Sequence, residues 1–272
     1  MKKPLLLTAA LLAVLAGCAS PTDDDAFSDQ LVVNAYLFGG EPIDSVYIQH
    51  TWKVTEAYTA EKAAVTNAVV IITGNNIVDT LAADPARPGR YASKERNRRV
   101  QPGAAYSLLV RVPGYGDVTG TTMVPDTFSV LNAASFPKTA SYAPSTNPFR
   151  IEWSRSGQYA DYMLVVRSAD QTTAMIPASF HNEDNKPERT SVGFFLKDVN
   201  ACEISWLYFN YYGPTEITMA ATDRNYFEFL KQFVTAQQSS DLKEIRFNLN
   251  GAIGVFGSET IAKNRIALTI TQ

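Results

Sequence analysis

Apolar residues recur with a period of two over most of this chain from residue 31 onward, and that constrains the fold more than any other feature. In Leu31-Val32-Val33-Asn34-Ala35-Tyr36-Leu37-Phe38 alternate positions are apolar and Asn34 is the one polar residue. In the next run Val46, Ile48, His50 and Trp52 fall on one face, and Tyr47, Gln49, Thr51 and Lys53 on the other. Side chains on a strand point alternately to opposite faces, so this is the pattern of a half-buried strand. Residues 68–73 (AVVIIT) read as a fully buried strand, and Gly74-Asn75-Asn76 after them as a hairpin turn, because Gly and Asn tolerate positive φ. Further strands are expected at 89–92, 105–112 and 117–124. Strands every eight to twelve residues with Gly, Pro and Asn between them predict an antiparallel sandwich.

The rhythm pauses near Met123-Val124-Pro125-Asp126, and 132–148 is rich in Pro, Ser, Thr and Ala. A boundary at 125–127 follows. Strands resume at 148–153 (PFRIEW) and 159–167 (YADYMLVVR), then at 175–180, 191–196, 203–212 and 265–271. One segment has a different period. After Thr222-Asp223, a plausible cap, Tyr226, Phe227, Leu230, Phe233 and Val234 fall at helical spacing, predicting an amphipathic helix at 223–236 that covers the second sheet.

Two local patterns resemble known sandwiches. Gly89-Arg90-Tyr91 and Gln101-Pro102-Gly103-Ala104-Ala105-Tyr106 are similar to the turn-and-tyrosine motifs of prealbumin-like and carboxypeptidase-regulatory-like domains. That resemblance makes Tyr91 and Tyr106 packing residues. The Ile151-x-Trp153 strand with its successor resembles a fibronectin-type or immunoglobulin-like pair. The expected fold is mainly β: two tandem antiparallel β-sandwich domains at 30–125 and 126–272, the second carrying one amphipathic helix.

The first 29 residues are of another kind. Lys2 and Lys3 precede an apolar core at 5–15, which has the length of a signal h-region and is too short to span a bilayer. Leu15-Ala16-Gly17-Cys18 resembles the lipobox of bacterial lipoproteins. The resemblance implies a signal peptide at 1–17, removal of that leader, and a diacylglyceryl group (palmitate-type chains) plus an N-acyl chain on Cys18. Residues 18–29 then form an acylated tether, whose Asp23-Asp24-Asp25 loosely resembles a surface-export signal; periplasmic and cell-surface faces both stay open. Two or more acyl chains hold a protein stably on a membrane.

Composition excludes several classes. With 46% hydrophobic and 19% charged residues the chain is globular. Losing Lys2 and Lys3 takes the formal charge from −3 to about −5, which argues against nucleic acid as a partner. Cys202 is left without an intramolecular disulfide partner and reads as a buried, inert thiol.

Candidates for chemistry are sparse. Of two histidines, His50 reads as a hydrogen-bonded core or rim residue. His181, with Glu183 and Asp184, is the most ligand-like cluster, but its spacing fits neither an EF-hand nor a zinc site. Serine-elbow and phosphate-loop motifs are absent from the sequence, so no catalytic residue and no cofactor is expected beyond the acyl groups on Cys18. Trp206-Leu207-Tyr208-Phe209-Asn210-Tyr211-Tyr212 holds five aromatics. Read as a strand, it sets Leu207, Phe209 and Tyr211 toward the core and Trp206, Tyr208 and Tyr212 on the other face, as a platform for a glycan or peptide. The Gly251, Gly254 and Gly257 series is expected to bend the chain and close the second sandwich.

Taken together, the lipobox Cys18, the 31–37 strand, the buried 69–72 strand, the two tyrosine motifs, Val124-Pro125, the helix at Tyr226-Phe227 and the GAIGVFG segment resemble the domain-of-unknown-function 4249 lipoproteins of Bacteroidota. Their genes often lie beside TonB-dependent receptors. The resemblance implies an outer-membrane accessory to nutrient uptake, non-catalytic, anchored in the bilayer and partnered with such a receptor. A glycan-acting hydrolase and a surface adhesin or envelope-assembly scaffold are the alternatives.

Overall fold

A computed structural model describes residues 27–53, 55–145, 149–158, 161–170, 172–177, 186–238 and 247–272, with backbone only at 191–194 and 233–238. The fold is mainly β, with 46% strand and 9% helix, in large mixed sheets that form no closed barrel among the described residues. The proposed leader and Cys18 lie outside the described residues, as do His181, Glu183 and Asp184.

The first sandwich is built from β1 (Leu31–Phe38), β2 (Ser45–His50), β3 (Val69–Gly74), β4 (Ile77–Ala83), β5 (Arg90–Ala92), β6 (Ala105–Arg111) and β7 (Val118–Met123), with the short helix α1 (Ala60–Ala63). Alternation decides what is inside: Leu31, Val33, Ala35 and Leu37 of β1 meet Val46 and Ile48 of β2 in the core. The 68–73 run is an alternating strand and not a fully buried one. Val70 and Ile72 are enclosed, whereas Val69 is 48% exposed on the outer face. Asn75 and Asn76 both take positive φ in the β3–β4 turn, as a tight hairpin demands.

Both motif tyrosines are structural. The Tyr106 hydroxyl accepts the Gln101 N–H at 2.8 Å, pinning the Pro102-Gly103 turn beneath its own strand. The Tyr91 hydroxyl donates to the Val65 carbonyl and accepts the Ala68 N–H, each at 2.9 Å. Burying a phenol is costly unless its oxygen is partnered, and both are.

The second core gathers Phe128, Ile151, Trp153, Tyr162, Leu164, Ile217, Met219, Ile266 and Leu268, among others. Its strands are β8 (Thr139–Ser141), β9 (Phe149–Glu152), β10 (Asp161–Ser168), β11 (Thr190–Lys197), β12 (Ala201–Ile204), β13 (Gly213–Thr222), β14 (Ile253–Ile261) and β15 (Ile266–Thr271), joined by helix α2 (Arg224–Gln238).

Among the described residues antiparallel pairing is the rule, with two exceptions. β8 runs parallel to β15, and β14 runs parallel to β1 from Val32 opposite Ile253 to Phe38 opposite Glu259. The second exception corrects the expected role of the glycine series. Instead of closing the second sandwich, it threads β14 against the first, where Phe256 joins the first core. Gly254 has φ +121°, and a Cβ there would lie 2.0 Å from the Val33 carbonyl oxygen. The far end of β14 then pairs with β13. One sheet therefore runs through both cores.

The helix occupies this seam as well. Tyr226 packs on Tyr36 with ring centroids 5.2 Å apart, and a Cβ at Gly257 would meet the Tyr226 Cβ at 2.6 Å. Phe227 is buried and meets Phe195 of β11 edge-on. It thus leans on both sandwiches, where the sequence predicted a cover for the second alone.

Candidate functional site

Where the chain enters the first sandwich, three residues far apart in sequence converge. Asp29 lies two residues before β1, His50 ends β2, and Tyr115 sits in the loop between β6 and β7. Asp29 Oδ2 is 3.2 Å from His50 Nδ1, and the Tyr115 hydroxyl is 3.0 Å from the same nitrogen. The Tyr115 hydroxyl also donates to Asp29 Oδ2, and this bond, with the negative charge beside it, pushes the phenol pKa up. Gln30 N–H donates to Thr51 Oγ1 at 2.9 Å, so the entering chain is tied on both sides. His50 is a rim residue: its side chain is 30% exposed.

Beside this cluster is a shallow cleft of about 340 Å³ lined by Phe27, Asp29, His50, Thr51, Trp52, Lys53 and Glu56. Lys53 Nζ lies 5.7 Å from the Phe27 ring centroid and 3.7 Å from Glu56. The Trp52 indole N–H is enclosed with no hydrogen-bond partner among the described residues. The arrangement joins carboxylate, imidazole and phenol in one set of polar contacts and fixes the start of the folded chain.

A second polar cluster lies in the seam between the sandwiches. Asp223 caps α2 by accepting the Tyr226 N–H at 2.7 Å, as the sequence suggested. Its other carboxylate oxygen accepts from Ser258 Oγ at 3.3 Å and from the Thr122 hydroxyl. Burial pushes this carboxyl up to about 6, against the pull of those hydrogen bonds. Burial likewise raises Glu259, the next residue of β14, to about 7.

The aromatic run is placed differently from its strand reading. β12 stops at Ile204, and Trp206–Tyr208 is a 3-10 turn capped by Ser205. In such a turn residues three apart share a side, so Trp206 and Phe209 both face inward. Trp206 is 7% exposed and packs on Tyr142, Phe149 and Phe209, whereas Leu207, assigned to the core, is 68% exposed. Tyr208 and Tyr212 are half-buried against the same cluster. These three residues form no open platform. The Cys202 thiol is half-buried, and burial pushes it up to about 11, which disfavours the thiolate.

Among the described residues, no three of His, Cys, Asp and Glu are grouped to hold a metal ion, and no helix is long and apolar enough to cross a membrane. Sequence reasoning passed over Asp29, Tyr115, Thr122, Ser258 and Glu259. Local pattern carries no signal for them, because their partners come from distant strands.

The chain was compared with known protein families on this footing. Residues 19–265 match the domain of unknown function DUF4249. The chain belongs to the DUF4249 family. The match covers the first core, takes in all of β14 and stops just before β15, so the strand shared by the two sandwiches lies within the family's extent in this DUF4249 chain. No curated protein matches it.

Proposed function

We propose that this DUF4249 protein is a non-catalytic binding and accessory lipoprotein of the bacterial outer membrane, anchored through acylated Cys18 and serving TonB-dependent nutrient uptake. The observation that carries this reading is the direction of the chain. Asp29 is held at the end of the first sandwich where β1 starts and β2 finishes. From there β14 runs parallel to β1, and β15 continues in the same direction along β13, with Ile261 opposite Ala220 and then Ile266 opposite Ile217. The second core accordingly lies beyond the far end of β1. At roughly 3.3 Å per residue, the eight residues of β1 set about 25 Å between the tether and the second domain.

An anchor at one pole and a binding domain at the other suits a protein that presents a surface to a membrane partner. The shared sheet makes the two domains one stiff body, so the presentation keeps a fixed geometry. Ligand and receptor contacts then belong to the loops of the second domain, since such functions sit on loops held by a rigid scaffold.

The reading is tested by extracting the native protein in mild detergent through a C-terminal tag. Co-purification of a β-barrel receptor, together with acyl chains on Cys18 by mass spectrometry, is the expected result. Recovery without any barrel, or cleavage of glycans by the purified protein, overturns it.

A further inference from the structure

The end of the first sandwich that carries the tether has a surface of its own. Phe27 is 44% exposed and Tyr58 is 56% exposed, two of the large hydrophobic side chains this protein leaves in solvent. They share this end: Phe27 lies over Lys53, and the Tyr58 hydroxyl reaches Gln49 near the finish of β2 at 3.5 Å. Half-buried Trp52 and Tyr115 flank them, and Pro113 and Gly114 of the β6–β7 loop are exposed. We propose that this end docks onto the lipid–water interface of the bilayer, so that the protein stands on its anchor instead of swinging from it.

The proposal rests on the lipid-anchor reading above and adds an orientation to it. The occupant is set by where the chain comes from. Nine Cα-to-Cα steps separate Cys18 from Phe27, a span of at most about 30 Å even fully extended. Whatever lies at the acylated cysteine is therefore the surface nearest this end. Aromatic side chains with a polar tip or edge are the ones favoured at the headgroup level, and Tyr58 and Tyr115 are of that kind.

Charge does not drive the contact. Lys53 is paired with Glu56, and Arg111 with Asp117 at 3.1 Å, which balances this end. The basic segment with Lys94, Arg96, Arg98 and Arg99 lies at the opposite end, where Val100 N–H bonds the Glu41 carbonyl just past β1. Docking by a few aromatics alone is weak. A short tether, however, raises the effective concentration of the surface to the millimolar range, so weak docking is enough to populate the upright state.

The test separates docking from native acylation. The chain beginning at Cys18 and carrying Cys202→Ser is coupled through the Cys18 thiol to a maleimide lipid in phosphatidylcholine vesicles, and amide hydrogen exchange is followed. Residues 27–30, 51–53, 55–58 and 112–117 should exchange about tenfold more slowly than in the uncoupled chain, while 93–100 stay unchanged. The Phe27→Ser/Tyr58→Ser double variant should lose that slowing and keep its melting temperature, since both side chains are exposed. Adding phosphatidylglycerol should not increase the effect. Equal rates on and off the vesicles, slowing confined to 93–100, slowing retained by the double variant, or slowing seen only with phosphatidylglycerol would each overturn the docking. Absence of acyl chains on the native protein would sink the anchor reading and leave this measurement standing.

Discussion

Ser258 Oγ donates to Asp223 Oδ2 across 3.3 Å, and that bond ties the strand shared by both sandwiches to the start of helix α2. Thr122 completes the knot: its hydroxyl lies 2.8 Å from Ser258 Oγ and donates to the same carboxylate oxygen. Three elements, β7, β14 and α2, thus meet on one buried acid that is 3% exposed. Among the described residues its carboxylate accepts from neutral donors only, the Tyr226 N–H and the Ser258 and Thr122 hydroxyls.

That knot predicts a pH dependence. Burial raises Asp223 from an ordinary 3.8 to about 6, so the folded chain binds a proton more tightly than the unfolded chain does. The stability from this proton is fully present below pH 4 and is lost as pH rises through about 6. The shift corresponds to about 3 kcal/mol between the two limits. Glu259, raised by burial to about 7, acts in the same direction. Thermal melts at pH 5, 6, 7 and 8 should give a melting temperature that falls across the series. Asp223→Asn, which keeps an oxygen acceptor at the cap, should flatten the slope. A melting temperature that rises from pH 5 to pH 8 would contradict the assignment.

Legibility in the sequence follows the range of the interactions. The ends of β1, the Asn75-Asn76 turn and the Tyr106 motif were readable because each is set by neighbours within a few residues. The helix was readable for the same reason: Asp223 and its 3.6-residue stripe are local. Only its partners were not, since Tyr36 and Gly257 come from other strands. The β14–β1 pairing was invisible, because parallel register depends on which distant edge is free. The 206–212 run failed differently. Its apolar residues fit period two, but Ser205 accepts the Leu207 N–H at 3.3 Å and turns the chain into a 3-10 helix, which exchanges Trp206 and Leu207 while Phe209 and Tyr211 stay buried as the strand reading had them. Asp29 with Tyr115, 86 residues apart, left no trace in pattern at all.

Gly254 tests the shared strand. Its φ of +121° is unfavourable for any side chain, and a Cβ would press to 2.0 Å from the Val33 carbonyl oxygen, which is backbone and cannot step aside. Gly254→Ala should therefore cost about 3 kcal/mol or more, a fall of roughly 6 °C or more in melting temperature. Gly40→Ala is the control: φ is +84°, but nothing lies within 4 Å of the new Cβ. It should cost about 1–2 kcal/mol, the price of the left-handed backbone alone. Equal losses from the two variants would mean that β14 is not held against β1.

The 206–208 turn can be tested against its strand reading with two alanines. Trp206 is 7% exposed, within ring contact of Tyr142, Phe149 and Phe209, so Trp206→Ala empties a large volume inside the second core. A truncation of this kind costs about 3–5 kcal/mol. Leu207 is 68% exposed, and Leu207→Ala should stay within about 0.5 kcal/mol of the parent. Denaturant unfolding followed by far-ultraviolet circular dichroism measures both on one scale. A strand that displays Trp206 and buries Leu207 predicts the reverse order of losses, so the ranking of the two variants decides between the geometries.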